Sequence, residues 1–351
     1  MEKEKKRDET IDTARGIAIL SMIFANISGY ILVEPHSWNH RLFGTFAAPM
    51  FVLLVGMMVG LSLHSKNHPQ IYFVKRGLLI ILASGIILDI LIWRYLPFIS
   101  MEVLYLIGIA IPLTAFFHKL GRLQQYLAIA IVFGITPFLQ SIFSYREMTT
   151  DLSLFTDSGT FQVFSEEFRE FIWPTFLKQI FIDGWFPVFP WVGFAFIGYL
   201  FAVYRWQVKL LADFSKPPIV YASLSILIFG AGAWYANPGP LYVREGFSEM
   251  FYPVTIGYAL TALGIIMLVL AVIDRNPQLK IYRPLQIMGR YSLTIYFLHW
   301  AIAEYIILSF TEEAQPWEHF AWYIAVVVIC LGVAYGVRYL KQVWKPTPLK
   351  G

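Results

Sequence analysis

Ten apolar runs, each near the length that crosses a bilayer, follow one another along this chain and decide what it can fold into. They cover roughly residues 14–33, 42–63, 77–95, 100–117, 123–143, 186–204, 217–235, 251–273, 289–309 and 319–339. A hydrocarbon core about 30 Å thick needs about 20 apolar residues in helical form. Inside it every backbone N–H and C=O must find its partner within the chain, so the runs read as helices. Composition agrees: of 351 residues 58% are hydrophobic and only 14% charged, where a soluble domain carries about 25% charge. The expected fold class is an all-α polytopic membrane protein of about ten transmembrane helices, one helical domain over 1–351 with an outer loop at about 144–185. A cytosolic enzyme and a disordered chain are excluded. The only cysteine, Cys330, excludes a disulfide scaffold. The mixed-charge start leads into a full-length span without a small-residue cleavage site, so it reads as an uncleaved first helix.

Charge placement orients the helices. With the N-terminus cytoplasmic, the inner segments hold Lys3, Lys5, Lys6, Arg7 and Arg15, then Lys66, Lys75 and Arg76, then Lys119 and Arg122. They continue with Arg205, Lys209 and Lys216, with Arg275, Lys280, Arg283 and Arg290, and with Arg338, Lys341, Lys345 and Lys350. Only Arg41, Arg94, Arg146, Arg169, Lys178 and Arg244 of the 27 basic residues fall outside. That asymmetry is the positive-inside pattern, and it puts both termini in the cytoplasm; with no separate luminal domain in the chain, the expected membrane is a plasma membrane. No stretch interleaves basic and aromatic residues as a nucleic-acid surface would.

Ionisable groups within spans cost roughly 2.5–3.5 kcal/mol on insertion scales, so they face a cavity or a partner. Asn26 in the first span, Asp89 in the third, Glu102 at the start of the fourth and His299 in the ninth all fall toward the outer side. His36 and His40 occupy the outer turn Glu34-Pro35-His36-Ser37-Trp38-Asn39-His40-Arg41. Their shared depth points to one polar cavity open outward. Plainer readings stand beside this one. Asn26 and His299 suit helix–helix hydrogen bonds, Asp89 and Glu102 suit a pair with Arg94, and a loop histidine beside Trp38 suits the interface. No His/Cys/Asp/Glu spacing resembles a metal site, and neither a phosphate loop nor a serine elbow is present.

Several stretches in order carry a family resemblance. They are Asp12-Thr13-Ala14-Arg15-Gly16 running to Asn26, His36-Ser37-Trp38-Asn39 followed by Pro49, and Leu104 to Ala110. Phe189-Pro190-Trp191-Val192-Gly193 and Gly289-Arg290-Tyr291-Ser292-Leu293 running through Tyr296 to His299 complete them. Together they resemble the heparan-α-glucosaminide N-acetyltransferase family and its bacterial relatives over nearly the whole chain. The resemblance implies transfer of an acetyl group from cytoplasmic acetyl-CoA to a sugar or glycan acceptor across the bilayer, and the lack of metal-ligand spacing leaves no metal expected. It makes His36 the catalytic residue with Asn26 beside it, and it allows a homodimer. The chain departs from the family pattern twice. The histidine stands one residue nearer Ser-Trp-Asn, which leaves His36, His40 and Glu34 in competition, and Thr45 occupies the position of an acidic residue.

The chemistry fits these residue types. Acetyl transfer needs a base or a nucleophile, and histidine serves as either near neutral pH. The Asn26 amide suits an oxyanion donor, and His299 suits orientation of base or acceptor. Trp38, Asn39, Asp89 and Glu102 are the candidate acceptor-binding residues. Arg15, Arg290 and Arg76 at inner helix ends suit CoA phosphates, or equally lipid phosphates. The outer loop's acidic residues, Glu147, Asp151, Asp157, Glu166, Glu167, Glu170 and Asp183, favour a neutral or amino sugar over a sulfated polymer. Two other classes remain. One is a different membrane O-acyltransferase of cell-surface polysaccharide. The other is a proton-coupled transporter using Asp89, Glu102 and His299, although no internal repeat marks one.

Overall fold

The computed structural model describes residues 8–66, 68–147, 152–157, 159–166, 168 and 175–343. Lys3, Lys5, Lys6, Arg7, Arg169, Lys345 and Lys350 of the charge pattern, and Asp151, Glu167 and Glu170 of the outer loop, lie outside the described residues. Among the described residues nine helices are long and apolar enough to cross a membrane. The fourth expected span falls instead on the apolar helix Val103–Phe117. Its 15 residues rise about 22 Å, less than the hydrocarbon thickness.

Local chemistry sets where each helix begins and bends. Helix α1 (Glu9–Ile31) starts earlier than its apolar run because the Asp8 side chain caps it at the Thr10 N–H. The second expected span is two helices, α2 (Trp38–Thr45), capped by Ser37, and α3 (Ala47–Lys66), with a break at Phe46. Helix α4 (Gln70–Ser84) continues through π-helical turns to Trp93. Glu102 caps α5 (Val103–Phe117), and α6 (Arg122–Ile142) follows. After the irregular stretch come α7 (Val188–Ala202), α8 (Pro217–Ala236) and α9 (Ile256–Arg275). The short α10 (Arg283–Arg290) ends at Tyr291, just inside the start of the ninth expected span, which α11 (Ser292–Ile302) carries on through π-helical turns to Phe310, and α12 (Pro316–Val343) closes the bundle.

Without a hydrophobic drive between helices in lipid, small residues let backbones approach. A Cβ at Gly56 would lie 1.9 Å from the Ala195 carbonyl oxygen, and one at Gly198 would lie 1.9 Å from that of Leu53. Helices α3 and α7 therefore cross in direct backbone contact. Gly16 against Leu285 and Gly289 against the Asp12 carbonyl do the same for α1 and α10.

The loops gather at two ends. At one, Arg205 bridges Asp8 and Asp274, Thr10 also bonds Asp274, Arg290 pairs with Asp12, and the His64 and His118 rings meet. At the other, His36 meets Ser248, Arg146 pairs with Asp183, Arg244 bonds the Gly184 carbonyl, and Leu32 pairs with Ala314. Each of these contacts joins segments that the charge pattern assigns to one side.

Replacing Gly198 with leucine drives a side chain into α3. Overpacking of this kind costs about 1–3 kcal/mol, so the thermal unfolding midpoint in detergent is expected to fall by several degrees. An unchanged midpoint would contradict the α3–α7 contact.

Candidate active site

Helix geometry distributes the polar residues of α1. Arg15 and Asn26 are eleven residues apart, which at 100° per residue returns to the same face about 16 Å along the axis. That face meets α10 and α11. Arg15 donates to the Gly289 carbonyl at 3.1 Å and lies 3.7 Å from Asp12, and Arg290 donates to Asp12 at 3.1 Å. Nearby, Lys341 stands over the Tyr291 ring. The two guanidiniums thus share one buried carboxylate, and with Lys341 they leave this end of the seam net positive. Arg76, on α4, donates instead to Tyr72 of its own helix.

Farther along the same face Asn26 meets His299, Nδ2 to Nε2 at 3.0 Å, while His299 Nδ1 lies 3.1 Å from the Ile295 carbonyl. A carbonyl only accepts, so Nδ1 carries the proton and Nε2 accepts from the Asn26 amide. His299 is fully buried. One turn on, Tyr30 bonds Glu304 and packs on Trp300, and Phe247 covers both rings.

Ser28, two residues from Asn26, points about 160° away and builds a different cluster. Its hydroxyl lies 2.6 Å from His40 Nε2, 3.0 Å from His319 Nε2 and 2.7 Å from the Phe24 carbonyl. His319 is 1% exposed and its Nδ1 has no partner. The His40 ring sits between those of His319 and His36, with centroids 4.8 and 5.6 Å away.

His36, half-buried, lies just past the end of α1. Its Nε2 is 3.1 Å from the Leu32 carbonyl and its Nδ1 is 2.6 Å from the Ser248 hydroxyl. In the neutral ring Nε2 therefore donates and Nδ1 accepts. Glu34 is exposed, as are Trp38 and Asn39 on the outer surface of α2. Arg41 holds α2 against the segment that carries Ser248, donating to the Ser248 carbonyl at 2.7 Å and the Leu241 carbonyl at 2.9 Å. Thr45 accepts from the Met250 N–H at 2.9 Å.

Asp89 and Glu102 sit elsewhere, at the α4–α5 turn. Asp89 accepts from the Tyr105 hydroxyl and from the Phe98 N–H, and Glu102 accepts from the Leu104 N–H. His299, bonded to Asn26, belongs to the α1 seam rather than to this turn. Among the described residues no group of three or more His, Cys, Asp or Glu is arranged to hold a metal ion.

The family model described as heparan-alpha-glucosaminide N-acetyltransferase, catalytic, matches residues 7–234. The chain belongs to this family. It is accordingly a multi-pass membrane protein of an acetyltransferase family. No match is found among curated proteins. The family match takes in Arg15, Asn26 and His36 and stops before Ser248, Glu249, His299 and His319. Sequence reasoning missed Ser28, Ser248, Glu249 and His319. His319 opens the tenth apolar run, and its place as an ionisable residue at a span edge is the one signal that marks it.

Glu249 lies outside the spans, and burial pushes its carboxyl up from the usual 4.5 to about 7 against the opposing pull of Arg41. Its Oε2 is buried without a hydrogen-bond partner. The folded chain thus binds a proton that the unfolded chain has already released, so stability is fullest below about pH 4.5 and falls as pH rises toward 7. Glu249→Gln is expected to remove that part of the slope in thermal unfolding measured across pH 4.5–7.5. An identical slope in the variant would show that Glu249 is ionised in the fold.

Proposed function

We infer that the chain moves an acetyl group from acetyl-CoA, taken up at the cytoplasmic end, to an amino sugar or a related glycan acceptor on the far side of a plasma membrane. Family membership supports acetyl transfer, and the observation that carries the route is the shared face of α1. The basic end at Arg15 and Arg290 and the polar pair at Asn26 and His299 lie on one seam, so a donor held by its phosphates inside is aimed along the helix toward the outer histidines. The segregation of loop contacts to two ends supports the orientation, with both termini cytoplasmic.

Arg15 and Arg290 hold the CoA phosphates through bidentate contacts, for which the guanidinium fork is suited. Arg290, with a side chain 34% exposed, is the more available of the two. A cleft at this end, about 260 Å³, is lined by Asp8, Glu9, Asp213 and Asp274 around Arg205. That acidic lining repels a polyphosphate, so the Arg15–Arg290 end is the better seat.

At the outer end His36 is the base. Its ring is oriented by the Leu32 carbonyl, and its Nδ1 presents the lone pair that takes a proton from the attacking group. Asn26 orients His299 and supplies an amide donor in the seam. Trp38 and Asn39 provide an exposed aromatic face and an amide for a sugar. His40, tied to Ser28, is the alternative base.

Purified protein is expected to bind acetyl-CoA and to acetylate glucosamine. His36→Ala is expected to lose at least 100-fold in transfer, in line with the usual contribution of a positioned base, while calorimetry still registers acetyl-CoA. Full activity in His36→Ala would shift the role to His40. Absence of any acetyl-CoA binding by folded protein would sink the transferase reading itself.

A further inference from the structure

The geometry points to Ser248 as the residue that carries the acetyl group, with His36 as its base. This rests on the transferase reading and names the nucleophile within it. Three observations support it. The Ser248 hydroxyl is 2.6 Å from His36 Nδ1, and the opposite ring nitrogen, 3.1 Å from the Leu32 carbonyl, must carry the proton. A nucleophile bonded to a base that is oriented by a third group is the arrangement of an activated hydroxyl.

The backbone then fixes where that hydroxyl stands. Arg244 and Phe247 close a tight hairpin through reciprocal bonds of 2.8 and 2.7 Å, and Glu245 and Gly246 at its tip have φ of 49° and 82°. Two successive left-handed residues define the type I′ turn, which leaves little freedom to the residue that follows. Gly246 also abuts α1, since a Cβ there would lie 2.3 Å from the Gly29 carbonyl oxygen. Finally, Arg41 Nε clamps the Ser248 carbonyl at 2.7 Å. Ser248 is thus pinned between the end of α1 and α2, 7% exposed, beside the half-buried His36.

The chemistry balances in two steps. The Ser248 oxygen bonds the thioester carbonyl carbon as its proton passes to His36 Nδ1. The C–S bond breaks, and the CoA thiolate takes that proton from His36 and leaves. In the second step the acceptor's free amine attacks the acetyl ester carbon and gives its proton to His36. The C–O bond breaks, and the Ser248 oxygen recovers the proton from His36.

The test mixes full-length detergent-purified protein with acetyl-CoA alone, then adds glucosamine. Wild type is expected to release CoA in a burst stoichiometric with protein and to carry one acetyl group on the peptide containing Ser248, which glucosamine removes. Ser248→Ala is expected to lose the burst and at least 100-fold of the transfer while still binding acetyl-CoA. Ser248→Cys is expected to recover a burst as a thioester, which a merely structural serine would not explain. Should Ser248→Ala fail to fold, the wild-type burst, the site of the acetyl group and the Ser248→Cys variant still decide. Turnover of glucosamine at the wild-type rate by Ser248→Ala, turnover without a burst, or an acetyl group found on His36 each overturns the assignment and leaves the transferase reading intact. A wild-type protein that neither binds nor consumes acetyl-CoA overturns both.

Discussion

A polar side chain inside a lipid-embedded bundle must find its partner within the chain, and α1 is where this protein meets that constraint most often. The helix passes Asp12, Arg15, Asn26 and Ser28 through the bundle, and each is answered by a neighbouring element: Arg290, Gly289, His299 and His319. Because 3.6 residues make a turn, Arg15 and Asn26 share one face while Ser28 turns away. One helix therefore separates an Asn–His pair from a Ser–His–His cluster by phase alone. The close approaches at Gly16 and Gly289 hold α1 and α10 near enough for Asp12 to receive both arginines.

Much of the architecture was legible because hydrocarbon leaves so few alternatives. Apolar runs had to be helices. Breaks inside runs were less visible. Phe46 sits in a sequence that hydropathy reads as continuous, and backbone geometry separates the helices there. The fourth run reads as a span by hydropathy, and its helix is shorter than the run, since Glu102 caps one end and His118 bounds the other.

The pairing of the polar residues was not legible in the sequence. Asn26, His36 and His299 stand out in the sequence as polar residues of apolar spans and their outer turn, but the chain does not say which of them meet. Asn26 finds His299, whereas His36 finds Ser248, a residue with no mark in sequence because serine is ordinary in a loop. Asp89 and Glu102 answer a different need. A tight α4–α5 turn exposes backbone N–H groups at Phe98 and Leu104, and buried carboxylates satisfy them. Arg76 illustrates the other limit: a basic residue at an inner helix end reads the same whether it meets a cofactor, a lipid or its own helix.

The departure at Thr45 becomes intelligible in three dimensions. Where the family pattern has an acidic residue, the Thr45 hydroxyl accepts from the Met250 N–H, and its carbonyl accepts from the Tyr258 hydroxyl. That small side chain lets the segment carrying Ser248 and Glu249 close against α2. A Cβ at the adjacent Gly44 would lie 3.5 Å from Glu249 Cγ, so a carboxyl occupies this corner although the helix supplies none. The carboxyl of Glu249 comes instead from the loop, beside the serine that holds His36. A buried carboxyl with one unpartnered oxygen is costly to keep, and Arg41 is the cation that offsets part of that cost. Arg41 binds the backbone on either side of the same loop, so charge compensation and the placement of Ser248 depend on a single side chain. The turn that carries His36 and the loop that completes its site are, in that sense, one unit assembled from segments about 200 residues apart.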